Sequence, residues 1–527
     1  MSDTLQNILE KVIALAQQDY ESACQLLDSE IANLPSAQLN NLGLGFYQKI
    51  EYELCKRVFD HLLANEPNNH SAHNNIGLAL NRLGLGKKAT KHYQKAINIK
   101  PDYHQARSNL AYTSLYFGKT GRSEILSAHK DIATFVFNKG KNYLNNQKRP
   151  IDESRRLNVA YLSSDFRNHA VGRFIYGILD KHDLEKFTIH ILDNRAGNSD
   201  LSKNDQTTTA LKNIGHPWHD ISSKNTDDVC QLIVRNNIDI LIDLSGHTQG
   251  GRPDVMSNRV APIQINYLGY PATSGMPTID YRIGDKFADL KKFQAQNTET
   301  MLRLSHAMWN YTPWPDMPQF PTQLPYETNH SITFGSANNH AKIQTSWLEL
   351  WVNVLHSVPN SRFRIKSRGL KSPTAQRQLT EFFNQKKIAK ERITIDHFSN
   401  TRAQHWQSLS QFDIGLDTYP YNGTTTTCDL LNLGIPVVTC SGNSHVSRTT
   451  GSILKTLGME SWIASDQEEF VAICQEKAAN IHQLKKLRQS LKTRFSNSTL
   501  GHSALFMVEY EQMLLNIWKQ YCDTQVA

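Results

Sequence analysis

The sequence has no apolar run approaching the roughly 20 residues a membrane span requires, so the chain is not expected to cross a bilayer. It also lacks a basic-then-apolar leader. The opening MSDTLQNILEKVIALAQQDY is acidic and amphipathic and reads as no secretory signal. Its seven cysteines (Cys24, Cys55, Cys230, Cys428, Cys440, Cys474 and Cys522) are an odd, scattered set without CxxC spacing. Such a set argues against a disulfide framework or a zinc module and for a reducing cytoplasm. The phosphate loop GxxxxGK[ST] is missing, and no GxGxxG follows a strand. The pairs Gly43/Gly45 and Gly84/Gly86 lie inside helical patterns, where they read as packing residues. ATPase and NAD-dehydrogenase readings therefore lose their main support.

Charge of one sign is also scarce: the formal net charge is only +8 over 527 residues. That surplus fits a polyanionic small ligand at least as well as nucleic acid. The densest basic stretch, Arg362 to Arg392, lacks the interleaved aromatics of a single-strand binder and reads as a solvated helix face, so no nucleic-acid partner is expected.

What the sequence does contain is a repeat. Asn41-Leu42-Gly43, Asn75-Ile76-Gly77 and Asn109-Leu110-Ala111 recur every 34 residues, as do Phe59 with Tyr93 and Pro67 with Pro101. The period, the small packing residues and the closing prolines are those of tetratricopeptide units. AQQDYESACQLLDSEIANLP reads as a degenerate earlier copy. Three to four helical pairs are predicted over residues 1–145, stacked into a short superhelix whose groove would bind protein. Self-association of the array stays open at this stage.

A polar stretch, NNQKRPIDESRR, follows at 145–156, and the pattern then changes. LNVAYLSSD, FTIHILDN, IDILIDLSG, PIQINYLG and IDYRIGD read as buried strands among amphipathic helices, giving an α/β lobe over 155–308. The Pro-rich passage 309–330 serves as a linker. SITFGSAN, RFRIKS, ITIDHF, DIGLDTYP and IPVVTCSG then form a second lobe over 331–527, with terminal helices. Two doubly wound lobes leave a cleft at the carboxyl ends of their strands, where ligands bind.

At that edge stands the run Thr424, Thr425, Thr426 and Thr427, between the turn Asn422-Gly423 and the helical CDLLNLG. Threonine is poor inside a helix and good at its start. A helix start preceded by glycine offers free N–H groups and a positive dipole end, and four hydroxyls there suit diphosphate oxygens.

SSDFRNHAVGRF (163–174), NYLGYPATSGMPTIDYRIGD (266–285), TFGSANNHAKI (333–343) and LDTYPYNGTTTTCDLL (416–431) together resemble the O-linked N-acetylglucosamine transferase and SPINDLY family. The resemblance runs from about residue 155 to the C-terminus, and a tetratricopeptide array is that family's usual companion. It implies a GT-B fold of two Rossmann-like lobes, a nucleotide-sugar donor and inverting transfer to Ser or Thr hydroxyls of proteins. It also implies no cofactor and no metal, and the absence of an Asp-x-Asp motif agrees. By the same resemblance Lys342 is the catalytic lysine that pairs with the diphosphate, and His169 the active-site histidine. Thr425 and Thr426 are phosphate-binding threonines, and Asp429 lies near the ribose. His405 contacts the base, with Arg402 close to a family lysine position. Asn338 and Asn339 are candidates for sugar or phosphate, and His247 is a further candidate or a structural histidine.

One departure bears on the donor. N-acetylglucosamine transferases of this family commonly carry His-Thr-Thr where this chain has Thr424-Thr425-Thr426, and YPYNGTTTTC looks more like the SPINDLY branch, whose plant members use GDP-fucose. UDP-N-acetylglucosamine is the first expectation and GDP-fucose the alternative. A non-catalytic scaffold and a related enzyme acting on small molecules are the other readings.

Overall fold

The structure, a computed structural model, describes residues 1–117, 122–137, 140–144, 152–195, 205–313, 317, 323–397, 399 and 401–526. Much of the expected linker at 145–156 and part of the interlobe passage at 309–330 lie outside these residues.

Eight helices come first: α1 (Asp3–Ala16), α2 (Tyr20–Ile31), α3 (Ser36–Gln48), α4 (Tyr52–Asn65), α5 (His70–Arg82), α6 (Gly86–Ile99), α7 (His104–Ser114) and α8 (Arg122–Phe137). Their period has a steric cause. A Cβ on Gly43 of α3 would lie 2.6 Å from the Phe59 ring of α4, and one on Gly77 of α5 would lie 2.4 Å from the Tyr93 ring of α6. Glycine thus lets each pair close on a buried aromatic. Asn75 donates to Asn40 (3.2 Å) and Asn109 to Asn74 (2.9 Å), so neighbouring repeat positions also tie one pair to the next.

Two parallel sheets follow. The first holds β1 (Leu157–Ser163), β2 (Phe187–Asp193), β3 (Trp218–Asp220), β4 (Ile240–Asp243), β5 (Ile263–Asn266), β6 (Tyr281–Asp285) and β7 (Thr300–Leu304), in the order β3-β2-β1-β4-β5-β6-β7. The second holds β8 (Thr333–Ser336), β9 (Arg362–Lys366), β10 (Ile393–Asp396), β11 (Ile414–Leu416), β12 (Val437–Cys440) and β13 (Ile463–Ala464), in the order β10-β9-β8-β11-β12-β13. Strands β4, β5, β8 and β12 are buried at every position, as expected where helices cover both faces. Each sheet reverses its winding once, between β1 and β4 and between β8 and β11, and those switch points are where such folds bind ligands.

One apolar core runs through both lobes, a further cluster that includes Leu162, Val229, Ile233 and Leu241 lies within the first lobe, and a separate core fills the array. The last helix, Ser503–Val526, returns from the second lobe to the first, where the hydroxyls of Tyr510 and Tyr161 lie 3.1 Å apart. The array is seated on the lobes. Lys371 pairs with Glu51 at 2.6 Å, and the turn at Gly84 (φ +76°) lies so close to His340 that a Cβ there would be 2.5 Å from its ring.

The basic stretch 362–392 differs from its expected form. It is a strand, a 3-10 turn and the helix Pro373–Gln385, and Lys366, at the end of the strand, is only 5% exposed.

Candidate active site

Lys342 and the threonine run leave the second sheet from the two strands that flank its switch point. After β8 the chain passes through Asn338 and Asn339 into the 3-10 turn His340–Lys342, with the Asn339 side chain accepting the Ala341 N–H at 3.2 Å. After β11 it turns at Asp417, whose buried carboxylate accepts the N–H groups of Thr418 (2.8 Å) and Gly423 (2.7 Å) and the hydroxyl of Thr439 (2.7 Å). This carboxylate folds the 418–423 segment back on itself. Gly423 is required by close approach, since a Cβ there would sit 2.6 Å from the Thr427 hydroxyl and 3.3 Å from the Asn338 amide oxygen.

The two segments meet. Lys342 Nζ donates to the Asn422 carbonyl at 2.7 Å and lies 4.1 Å from the centre of the Tyr421 ring. Burial pushes Lys342 down to about 8, with Asp417 acting in the opposite sense. The helix Thr425–Asn432 begins immediately beyond. Thr424, Thr425 and Thr426 are half-buried and their hydroxyls bond to no described residue, and neither do the N–H groups of Thr425, Thr426 and Thr427. Thr427 differs: it is buried, and its hydroxyl is 3.0 Å from that of Thr450. Behind the loop, Thr449 and Thr450 donate to the Gly423 carbonyl at 3.0 and 2.9 Å. Free N–H groups, unengaged hydroxyls and an ammonium on a supported loop are groups that can bind an anion.

Asp429, one turn further, is buried and engaged. Both of its oxygens face Arg173, from the first lobe's helix Ala170–Asp180, and the Tyr311 hydroxyl donates to it as well. Arg173 also lies 4.5 Å over the Tyr311 ring. Asp429 is thus the second-lobe end of an interlobe clasp.

On the first lobe, His169 caps the helix Ala170–Asp180 after β1. Its Nδ1 accepts the Val171 N–H at 3.3 Å and lies 3.5 Å from an Asp165 oxygen, while 42% of the side chain is exposed. Desolvation lowers its pKa, while the Asp165 carboxylate acts in the opposite sense. His247 follows β4 but points elsewhere. It is buried, its Nε2 is 2.7 Å from the Ser274 carbonyl, and its ring packs on Tyr270 and on His129 of α8, at the seam with the array.

His405 and Arg402 lie on the helix Arg402–Leu409, whose start is closed by a capping box of Thr401 and Gln404. Arg402 reaches across to Gln206 of the first lobe at 3.2 Å. Burial pushes His405 down to about 4, in the field of Asp429, Lys366 and Arg173. Sequence reasoning missed Lys366. It donates to the Ser399 hydroxyl at 2.5 Å, and burial pushes it down to about 8. A lysine at the carboxyl end of a strand, on the ligand edge, was the signal available. Arg173 gave none, being one basic residue on an amphipathic helix. Among the described residues no group of three or more His, Cys, Asp or Glu side chains is arranged to hold a metal ion.

Comparison with known proteins places this geometry. The family model for glycosyl transferase family 41 matches residues 114–310 and 320–510. The probable UDP-N-acetylglucosamine–peptide N-acetylglucosaminyltransferase SPINDLY of Petunia hybrida is 32% identical over 431 residues, covering 82% of this chain and 46% of that protein. Its Arabidopsis thaliana counterpart is 32% identical over 433 residues, 81% of this chain and 46% of that one. The chain thus spans about half the length of these curated relatives. A lysine-to-methionine variant of Thermobaculum terrenum O-GlcNAc transferase superposes with a TM-score of 0.87 at 26% identity, over 99% of this chain and 98% of that one. The helical array and two Rossmann-like lobes are therefore shared over nearly the whole length, and the chain belongs to glycosyl transferase family 41.

Proposed function

We propose that this chain is a protein O-glycosyltransferase that moves a sugar from a nucleoside diphosphate to Ser or Thr hydroxyls, with inversion at the anomeric carbon and without a metal ion. The observation that carries the reading is the convergence of Lys342 with the open start of the helix Thr425–Asn432 at the second lobe's switch point. Transfer breaks the bond between the sugar and the β-phosphate, and negative charge grows on the departing diphosphate. Preorganised cations and N–H donors aimed at that charge lower the barrier. Here the Lys342 ammonium, the first-turn N–H groups and the hydroxyls of Thr424, Thr425 and Thr426 take that part.

In this reading Asn338, beside Gly423, and Asn339 serve the sugar and phosphate. His405, Arg402 and Lys366 serve the base. His169 faces the cleft from the first lobe with a ring edge that can orient the acceptor or the sugar. The array, seated beside the cleft, presents the protein acceptor. The scattered free cysteines support a reducing, cytoplasmic setting.

The donor named first is UDP-N-acetylglucosamine, as in the names of the SPINDLY relatives, and the Thermobaculum protein is named for the same sugar. A second donor, GDP-fucose, is favoured by Thr424 at the position where the family's N-acetylglucosamine transferases carry histidine. The test is transfer itself. Purified protein is incubated with each donor, EDTA and a cell extract, and the acceptor proteins are weighed by mass spectrometry. An added N-acetylhexosamine supports the first donor and an added deoxyhexose the second. No added sugar from either, with both donors intact, would refute the function.

A further inference from the structure

Helix α7 of the array reaches the floor of the candidate active site. The Tyr112 hydroxyl is 3.3 Å from the Tyr421 hydroxyl, and the Tyr116 ring packs on the Tyr421 ring with centroids 5.2 Å apart. Tyr421 is 9% exposed and Tyr116 3%. Tyr112 also approaches Tyr270 of the first lobe, at 6.1 Å between centroids, so the array and both lobes meet at this one cluster. The Tyr421 backbone is fixed from within its own lobe, where its carbonyl accepts the Thr418 hydroxyl at 2.7 Å and the next N–H, of Asn422, donates to Val446 at 2.9 Å. Its side chain is fixed by the array. On the face of that ring rests the Lys342 ammonium.

We infer that Tyr421 is a positioning residue for Lys342 and that the array's Tyr112 and Tyr116 hold it in place, so that the helical array is part of the wall of the nucleotide site. A half-buried ammonium loses water. Replacing that water with one carbonyl and the negative face of an aromatic ring keeps the cation charged and aimed, whereas an aliphatic wall would do neither. The inference deepens the reading of Lys342 as the diphosphate's partner and rests on it. It also gives the array a task before any protein acceptor arrives.

Asp417, at the end of β11, is the charged group acting on Lys342, and the Tyr421 ring lies beneath it; Tyr112 and Tyr116 pack on Tyr421, and His340 belongs to the same turn as Lys342. Burial pushes His340 down to about 4 and the phenols of Tyr116 and Tyr421 well above their ordinary value, so none of these three changes charge between pH 6.5 and 8.

The test is calorimetric titration of the full chain with UDP and with GDP, at pH 6.5 and pH 8, for wild type and for Tyr421→Phe, Tyr421→Leu and Tyr112→Ala. Tyr421→Leu is expected to weaken the preferred nucleotide about tenfold at pH 8 and less than about threefold at pH 6.5, where Lys342 regains its proton. Tyr421→Phe, which keeps the ring, stays within about twofold of wild type at both pH values. Tyr112→Ala follows the Leu pattern at about threefold. A loss for Tyr421→Leu that is equal at the two pH values, or no loss at all, overturns the positioning role. Unchanged affinity in Tyr112→Ala overturns the array's part in it. Wild-type protein that binds neither nucleotide would instead overturn the function from which the inference starts.

Discussion

Arg173 of the first lobe and Asp429 of the second form a buried ion pair, closed on a third side by the Tyr311 hydroxyl, one helical turn behind the half-buried Thr425. A contact of this kind fixes how the lobes face each other and where the helix Thr425–Asn432 starts. Each partner is costly to leave alone.

Arg173→Ala should therefore destabilise strongly, by about 3–5 kcal/mol, because Asp429 would remain buried without its hydrogen-bonded guanidinium. Replacing both partners, Arg173→Met with Asp429→Leu, should recover most of that loss, since a packed apolar pair pays no desolvation cost. Thermal unfolding of the three proteins checks this, and a single variant as stable as wild type would contradict it.

The threonines should separate by role. Thr425→Val and Thr426→Val each remove a hydroxyl that no described residue uses, so stability should hold within about 0.5 kcal/mol while nucleotide affinity falls about fivefold to tenfold. Thr427→Val should do the reverse, costing about 1 kcal/mol of stability through the lost contact with Thr450 and leaving affinity within about twofold. Paired thermal unfolding and calorimetry on each variant measure both quantities.

Affinity for a nucleoside diphosphate should fall as pH rises through 8. Burial lowers Lys342 to about 8, so its cation is present below that pH and lost above it, and the anion prefers the charged form. Lys366 is lowered to about 8 as well and contributes in the same direction. Titrations from pH 6.5 to 9.5 should show a plateau and then a decline. Lys342→Met should lie below wild type on the plateau and decline less steeply beyond it. An affinity that rises with pH would contradict the assignment.

Much of the architecture was legible because it is written in local patterns. Gly43 with Phe59 and Gly77 with Tyr93 repeat because one steric contact repeats, and the runs that became β1, β2, β4, β5 and β6 are apolar because a parallel sheet buries both faces. Strands β3, β7 and β13 went unread: they are short or lie at sheet edges, where burial leaves less pattern. The threonine run could be singled out because it follows a strand at the ligand edge, and Lys342 because TFGSANNHAKI resembles the family's motif. Arg173, Lys366 and Tyr421 could not be paired with their partners. Their contacts join segments 256, 33 and 309 residues apart, and no spacing rule connects these. Asp429 shows the limit most clearly, since its place in the helix was readable and the arginine across the cleft was not.

The most direct test of the account is calorimetric titration of the purified chain with UDP and GDP in EDTA, set beside Lys342→Ala. One nucleotide should bind with a single site per chain, without metal. Lys342→Ala should lose about thirtyfold or more in affinity, the order expected for removing a charge-assisted partner of phosphate, while unfolding at the wild-type temperature. Binding of neither nucleotide by the wild type, or equal binding by the folded Lys342→Ala protein, would contradict the central claim that this cleft holds a nucleotide-sugar donor through Lys342.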